Sequence, residues 1–144
     1  MKKILFFDDE PFISNYLVQS LNEILGWRDI TFISTTDDLV NEVTNEKVTY
    51  DLFVLDVMAP MPSDNLIKNF TQVELNKMDE GRGVGLVMAE KIRGDEKYTN
   101  VPIVFLTARS IIIPDSIKEM SSYLRKPISP EELSNKMKEL LNLN

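Results

Sequence analysis

Residues 4–9, Ile-Leu-Phe-Phe-Asp-Asp, join an apolar run of strand length directly to two carboxylates. The pattern returns at residues 52–56, Leu-Phe-Val-Leu-Asp, and two later apolar runs end at Thr107 and at Lys126. Short runs that are apolar throughout are typical of strands buried on both faces of a parallel sheet. Because the carboxyl ends of parallel strands meet at one edge, these polar ends are predicted to share a crevice.

Segments with helical spacing separate the apolar runs, an alternation that is typical of a parallel sheet covered by helices on both faces. Strands are predicted near residues 3–7, 30–34, 52–55, 101–106 and 122–125. Helices are predicted over residues 11–25, from a cap at Thr36 or Asp37 to Val43, and over residues 84–93, 112–120 and 130–141. The expected fold class is therefore α/β, with a doubly wound five-stranded parallel sheet.

Residues 61–84 form a longer connection after the third strand than such folds normally use. Ser63 could cap a helix whose apolar residues share one face, namely Leu66, Ile67, Phe70 and Val73. We therefore predict an inserted helix here rather than a structureless loop.

The composition limits the class of protein. The chain has 144 residues, 43% hydrophobic and 27% charged, which fits a single domain over residues 1–144 without an output domain. Its net charge of -7 argues against direct nucleic-acid binding, which depends on clustered Lys and Arg. No apolar stretch is long enough to enter a membrane as a spanning helix.

Cysteine and histidine are both absent. The lack of cysteine excludes disulfides, thiolate metal sites and cysteine nucleophiles, and it fits a cytoplasmic location. The lack of histidine means that any phosphohistidine in the chemistry of this protein must belong to another molecule.

The predicted crevice would hold Asp8, Asp9 and Asp56 together. Two such charges about 4 Å apart repel by roughly 4 kcal/mol at an effective dielectric near 20, so a cation is expected. Mg²⁺ suits these oxygen ligands, with Mn²⁺ as a possible substitute. Lys126 would neutralise a phosphoryl oxygen, the Thr107 hydroxyl would donate a hydrogen bond to one, and Asp56 is the expected nucleophile.

Each of these residues also has an ordinary structural interpretation. Asp8 and Asp9 could cap the first helix, Asp56 could be a loop residue, Thr107 a strand residue and Lys126 a solvated surface charge. Their joint position at strand carboxyl ends favours the functional interpretation, because ligands bind there in open α/β sheets.

Four stretches of the chain resemble the receiver domain of bacterial two-component response regulators, of which the chemotaxis response regulator is a single-domain example. They are residues 4–11 (ILFFDDEP), 51–60 (DLFVLDVMAP), 101–109 (VPIVFLTAR) and 123–127 (YLRKP). They occur in the family's order and span nearly the whole chain. The resemblance implies a flavodoxin-like (βα)5 fold.

The resemblance also implies a role for each residue of the crevice and for three more. It implies Asp56 as phosphoacceptor, Lys126 as the ammonium, Thr107 and Tyr123 as the switch pair, and as magnesium ligands Asp8, Asp9, Asp56 and the Met58 main-chain carbonyl, with Asp9 more direct than Asp8. A cis bond is expected at Lys126-Pro127. Met58 and Arg109 would influence how fast the phosphoryl group is lost.

The chain departs from the family pattern in two places. The insertion at residues 61–84 adds about 20 residues to a usually short loop beside the crevice. It could be a lid, a docking element, a dimer contact or a tolerated surface insertion. The segment from Thr107 to Lys126 is shorter than usual, and its Ile111-Ile112-Ile113 run could be core or a patch for a partner.

The leading hypothesis is a stand-alone receiver that accepts a phosphoryl group from a histidine kinase or histidine phosphotransfer protein and then changes its protein contacts. It would be no ordinary enzyme, catalysing only its own phosphorylation and dephosphorylation, and would be a monomer or a phosphorylation-dependent dimer. Two alternatives stay open. One is a phosphate-independent interaction module, and the other is a small aspartyl-phosphate phosphatase, whose Asp-x-Asp motif differs from the adjacent Asp8-Asp9.

Overall fold

The computed structural model describes residues 2–26 and 29–142. Its strands are β1 (Ile4–Phe7), β2 (Ile30–Ile33), β3 (Leu52–Asp56), β4 (Ile103–Thr107) and β5 (Ser121–Arg125). They form one sheet in the order β2-β1-β3-β4-β5, and every neighbouring pair is parallel. The order reverses between β1 and β3, which is where a doubly wound sheet opens a crevice for ligands.

Helices cover both faces of this sheet. They are α1 (Pro11–Leu25), α2 (Thr36–Thr44), α3 (Asp64–Ile67), α4 (Gln72–Lys77), α5 (Val84–Arg93) and α6 (Pro130–Leu140). On one face, Leu21 of α1 and Met137 of α6 pack in a core cluster with Phe6. Val40 of α2 and Met88 of α5 belong to the cluster on the other face. The predicted doubly wound α/β class is confirmed.

Local signals explain where several helices begin and end. Pro11 is the first residue of α1, and Gly26 ends that helix with a positive φ of 65°. Ser129 caps α6 by accepting a hydrogen bond from the Glu132 amide at 3.1 Å. None of the helices in residues 2–26 and 29–142 combines the length and apolar character that crossing a bilayer requires.

The predicted cap of α2 was wrong by one residue. Thr35 caps this helix by accepting a hydrogen bond from the Asp38 amide at 3.1 Å, in place of Thr36 or Asp37. The Thr36 hydroxyl instead donates to the Pro60 carbonyl at 2.6 Å, and the Asp37 carboxylate accepts from the Ser63 amide at 2.8 Å. Both side chains therefore tie α2 to the start of the insertion.

The predicted helical insertion is confirmed, and Ser63 occupies the N-cap position of its first helix, although its side chain makes no capping hydrogen bond. The insertion was wrongly predicted as a single helix. It forms two short helices, α3 and α4, followed by a π-helical turn at Met78–Arg82. Thr71 and Glu74 form a capping box that starts α4. Because a new helix begins here, the predicted apolar face from Leu66 to Val73 is interrupted. Phe70 is buried as expected, whereas Val73 is 64% exposed.

The predicted helix at residues 112–120 was also wrong. The connection from β4 to β5 contains a single 3-10 turn, Asp115–Ile117. Arg93 of α5 joins the end of this connection to the segment before β4, because its guanidinium donates to the carbonyl of Glu119 and the Ser121 hydroxyl and also to the carbonyls of Tyr98 and Val101. The Arg93 side chain thus holds the end of the connection in place, where a longer helix would otherwise do so by its packing.

Candidate functional site

The polar residues predicted to meet do lie at one edge of the sheet. Asp56 and Thr107 are the last residues of β3 and β4, Asp8 follows β1 and Lys126 follows β5. Carboxylate oxygens of Asp8, Asp9 and Asp56 all lie within 4.8 Å of one another. Asp8, Asp56 and Thr107 are buried, while Asp9 is half-buried at the opening of the crevice.

The Lys126 ammonium bridges two of these carboxylates. Its Nζ lies 3.0 Å from Oδ2 of Asp8 and 3.4 Å from Oδ1 of Asp56. The Lys126 amide donates to the Thr107 carbonyl at 2.7 Å, which holds this residue at the end of the sheet. The Lys126-Pro127 bond is cis, as the resemblance implied.

The crevice carries more negative charge than its one ammonium offsets. Burial, together with the adjacent Asp9 and Asp8 carboxyls, raises the pKa of Asp56 to about 8, although Lys126 acts in the opposite direction. Burial lowers the pKa of Lys126, but the hydrogen bond that its ammonium donates to Asp8 and the charges of Asp56 and Asp8 outweigh this and raise it. The site thus disfavours the ionised form of the Asp56 carboxyl, and added positive charge beside it would favour that form.

The donor set fits a hard divalent cation. Asp8, Asp9 and Asp56 each offer a carboxylate oxygen, the ligand type that Mg²⁺ and Mn²⁺ prefer. Asp8 is held rigidly, because its Oδ1 accepts the Glu10 amide at 2.9 Å while its Oδ2 contacts Lys126. These three side chains would therefore hold the ion at the opening of the crevice.

The structure places Thr107 in a local hydrogen-bonded turn rather than in contact with Asp56. Its hydroxyl donates to the Arg109 carbonyl at 2.8 Å and accepts from the Arg109 amide at 3.1 Å. The Arg109 guanidinium in turn donates to the Met58 sulfur at 3.6 Å. Tyr123 lies on β5, opposite Phe105 of β4, with 38% of its surface exposed. No pattern of residues predicts this pairing of Thr107 with Arg109.

Two glycines at the start of α5, Gly83 and Gly85, lie against the backbone of Asp56 and Val57. The Gly85 amide donates to the Val57 carbonyl at 3.0 Å. A side chain on Gly85 would collide with the Asp56 carbonyl, and one on Gly83, whose φ is 94°, would lie 2.5 Å from the Val57 side chain. The end of the insertion therefore packs directly on the backbone that carries Asp56.

Comparison with known proteins agrees with this architecture. No protein-family model matches the chain. It is 28% identical over 145 residues to the DNA-binding dual master transcriptional regulator RpaA of Synechocystis, covering 98% of this chain and 49% of that protein. It is 26% identical over 144 residues to the hybrid signal transduction histidine kinase D of Dictyostelium discoideum, covering 97% of this chain and 8% of that protein. The chain thus spans half or less of these relatives.

A solved structure matches along nearly its full length. The response regulator receiver domain protein (CheY-like) from Methanospirillum hungatei superimposes with a TM-score of 0.70 at 20% identity, covering 99% of this chain and 94% of that one. The five-stranded order and the helices on both faces are those of this fold. The chain therefore has the CheY-like receiver fold that the four stretches of sequence indicated.

Proposed function

We propose that this chain is a receiver that accepts a phosphoryl group on Asp56 from a phosphohistidine donor and signals through changed protein contacts. The observation that supports this most is the crevice, where three carboxylates and one ammonium meet at the carboxyl ends of parallel strands. A histidine kinase or a histidine phosphotransfer protein would be the donor. The chain itself contains no histidine, so the donor imidazole must come from outside.

The transfer needs a nucleophile and groups that neutralise the negative charge of the phosphoryl oxygens. An Asp56 carboxylate oxygen attacks the phosphorus, an O–P bond forms, and the P–N bond breaks so that the electron pair stays on the donor imidazole. When bound, Mg²⁺ supplies charge neutralisation between the carboxylates and the phosphoryl oxygens. Asp8, Asp9, Asp56 and the Met58 carbonyl would be its protein ligands.

Three residues would then respond to the modification. Lys126, which contacts Asp56 at 3.4 Å, forms an ion pair with a phosphoryl oxygen. The Thr107 hydroxyl leaves Arg109 and donates to another phosphoryl oxygen. The half-exposed Tyr123 ring turns inward as this end of β4 moves, which changes the surface that a downstream protein meets. The cytoplasmic location and the oligomeric state stay predictions.

The direct test is phosphorylation with acetyl phosphate and Mg²⁺, followed by intact mass spectrometry. We expect one phosphoryl group on the wild-type chain and on Asp79→Asn, and none on Asp56→Asn. Asp79 is a suitable control because it is exposed and lies outside the crevice. Binding of beryllium fluoride, followed by fluorine NMR, gives a second readout that needs no transfer step.

Other results would contradict the proposal. An intact fold that neither accepts a phosphoryl group nor binds beryllium fluoride would favour the phosphate-independent module. Repeated turnover of small phosphoesters by the wild-type chain would favour the phosphatase.

A further inference from the structure

An open groove lies next to the crevice, between the end of the insertion and the connection that follows β4. Its volume is about 560 Å³, within the size range of ligand and peptide sites. Val57 and Leu86 contribute apolar surface from one side, and Ile111 and Pro114 from the other. The groove is therefore a mainly apolar site with one end near Thr107.

The groove exists because the β4 to β5 connection lacks a full helix. A parallel crossover normally carries a helix that packs back onto the sheet, whereas residues 108–120 contain only the 3-10 turn. Ile111 and Ile113 turn inward against the core, but Ile112 is 91% exposed at the edge of the groove. An exposed large aliphatic residue beside an apolar groove is characteristic of an interaction surface.

The charged residues that line the groove are not mainly acidic, unlike those of the whole chain. Lys77 and Glu90 both line it, but they pair with each other at 3.4 Å. Arg109 makes no ion pair with any residue in the described part of the chain, and its guanidinium contacts only the Met58 sulfur. The neighbouring Arg125 donates to the neutral oxygens of Ser110 and Ala108 and pairs with no carboxylate in the described part of the chain. The groove thus offers the Arg109 guanidinium as a cation without a carboxylate partner among the described residues, on a protein of net charge -7.

We propose that this groove binds a short segment of a partner protein that carries aliphatic side chains next to a carboxylate. The aliphatic side chains fill the groove and cover Ile112, and the carboxylate pairs with the Arg109 guanidinium. A chain segment fits better than a small molecule, because Ile112 lines the groove and yet is 91% exposed, so a segment that continues past the edge of the groove covers more of this side chain. This proposal goes beyond phosphoryl transfer, since the groove is open in the unmodified protein.

The test is a selection of peptides from a randomised displayed library against the unmodified full chain. Recovered peptides are synthesised with a fluorophore, and their binding is measured by fluorescence anisotropy. We expect aliphatic residues with Asp or Glu among the recovered sequences. Ile112→Asp and Arg109→Glu should each weaken binding by at least 10-fold, while Phe12→Asp and Lys47→Glu should leave it unchanged.

The control variants match the test variants in chemistry. Phe12 is 94% exposed on α1, and Lys47 is exposed after α2, so the same changes of charge occur away from the groove. Ile112 and Arg109 are themselves exposed, so both test variants should keep the wild-type circular dichroism and melting temperature. Amide NMR shifts on peptide addition should concentrate at residues 86–90 and 107–114.

Several results would overturn the proposal. These are no recovered peptide, recovered peptides rich in Lys and Arg, or equal binding to wild type, Ile112→Asp and Arg109→Glu. Self-association of the chain that Ile112→Asp abolishes would assign the groove to a second copy, and tight binding of decanoate without peptide binding would assign it to a small amphiphile. Because Asp56→Asn should bind the peptides normally, failure of phosphoryl transfer and failure of this proposal are distinguishable.

Discussion

Lys126 is the residue on which the charge balance of the crevice depends. Its ammonium lies within 3.4 Å of both Asp8 and Asp56. Replacing it by Gln keeps the length of the side chain and removes the positive charge. We expect Lys126→Gln to slow phosphorylation by acetyl phosphate on the order of 100-fold, as losses of one preorganised charge-stabilising donor do. The measurement is the time course of intact mass, with Lys136→Gln as the control.

A rate for Lys126→Gln equal to that of wild type would contradict this role. Lys136 is a fair control because it pairs at 3.4 Å with Glu139 on the surface of α6, outside the crevice.

Tyr50 gives a prediction about pH at the other end of the sheet. Its side chain is buried, and its hydroxyl donates to the Glu42 carboxylate at 3.1 Å. Burial, and secondarily Glu42, raises its pKa to about 12. Because the folded pKa lies above the ordinary value near 10, Tyr50 contributes stability that is complete below pH 10 and is lost as the pH rises toward 12.

The measurement is the free energy of unfolding between pH 9 and pH 12, compared for wild type and Tyr50→Phe. We expect a steeper alkaline decline for wild type, since phenylalanine has no proton to lose. Parallel curves for the two proteins would contradict the assignment.

At the scale of elements, the start of α5 positions the backbone of Asp56. Gly85 lies so close to the Asp56 and Val57 backbone that an added methyl group must displace one or the other. We expect Gly85→Ala to lower the free energy of unfolding by about 1–3 kcal/mol, a typical cost of overpacking. It should also reduce phosphorylation, because Asp56 would move relative to Lys126.

Gly94 at the end of the same helix is the matched control. A methyl group there would lie 3.5 Å from the nearest carbonyl oxygens, in ordinary contact. Gly94→Ala should therefore leave stability unchanged or raise it by about 0.4–1 kcal/mol. Urea titrations of both variants measure the difference, and equal losses at the two positions would contradict the close-approach argument.

The elements differ in how well the sequence predicted them. Strands such as β1 and β3 were predicted within a residue or two, because a run that is apolar throughout has few other stable positions. The insertion was predicted less well, although the Thr71-x-x-Glu74 capping box was visible in the sequence and would have placed the start of α4. The apolar spacing around Phe70 favours one continuous helix, whereas this capping box favours a new helix start.

The connection after β4 could not have been predicted from local pattern. Ile111 and Ile113 are partly buried by packing against the core cluster, and Arg93 donates to Glu119 and Ser121 from 26 and 28 residues away. A run of three isoleucines contains no sign of which side chain will turn outward. Long-range contacts therefore overrode a weak helical preference.

At the scale of the whole molecule, one ion would connect elements that are distant in sequence. Asp8 and Asp9 follow β1, and Asp56 ends β3 on the neighbouring strand. An ion that binds the folded chain alone stabilises it by about 2.7 kcal/mol at one hundred times its dissociation constant. We expect MgCl₂ to raise the melting temperature of wild type, and NaCl of equal ionic strength not to do so.

The increase should be smaller in Asp9→Asn, which loses one ligand oxygen and keeps the size of the side chain. Asp79→Asn should respond as wild type does. An equal increase in all three proteins would mean that Mg²⁺ acts on the surface as a whole.

The sequence predicted the location of the crevice better than its internal contacts. Strand ends placed Asp8, Asp56, Thr107 and Lys126 together, because the topology of parallel strands leaves them no other edge. The bond between Thr107 and Arg109 depends on the conformation of a turn, which the sequence does not specify. The roles of these side chains stay predictions until phosphorylation is measured.

The Arg93 guanidinium has a consequence for how the molecule opens. It donates hydrogen bonds to the segment that precedes β4 and to the first residue of β5. If either segment detaches from Arg93, the hydrogen bonds that link the two segments are lost. Segments joined in this way unfold as one cooperative unit. Amide hydrogens in the two segments should exchange with solvent through a single opening event, with one common protection factor. Lysine could not preserve this behaviour, since its ammonium lacks the planar fork that reaches several acceptors at once.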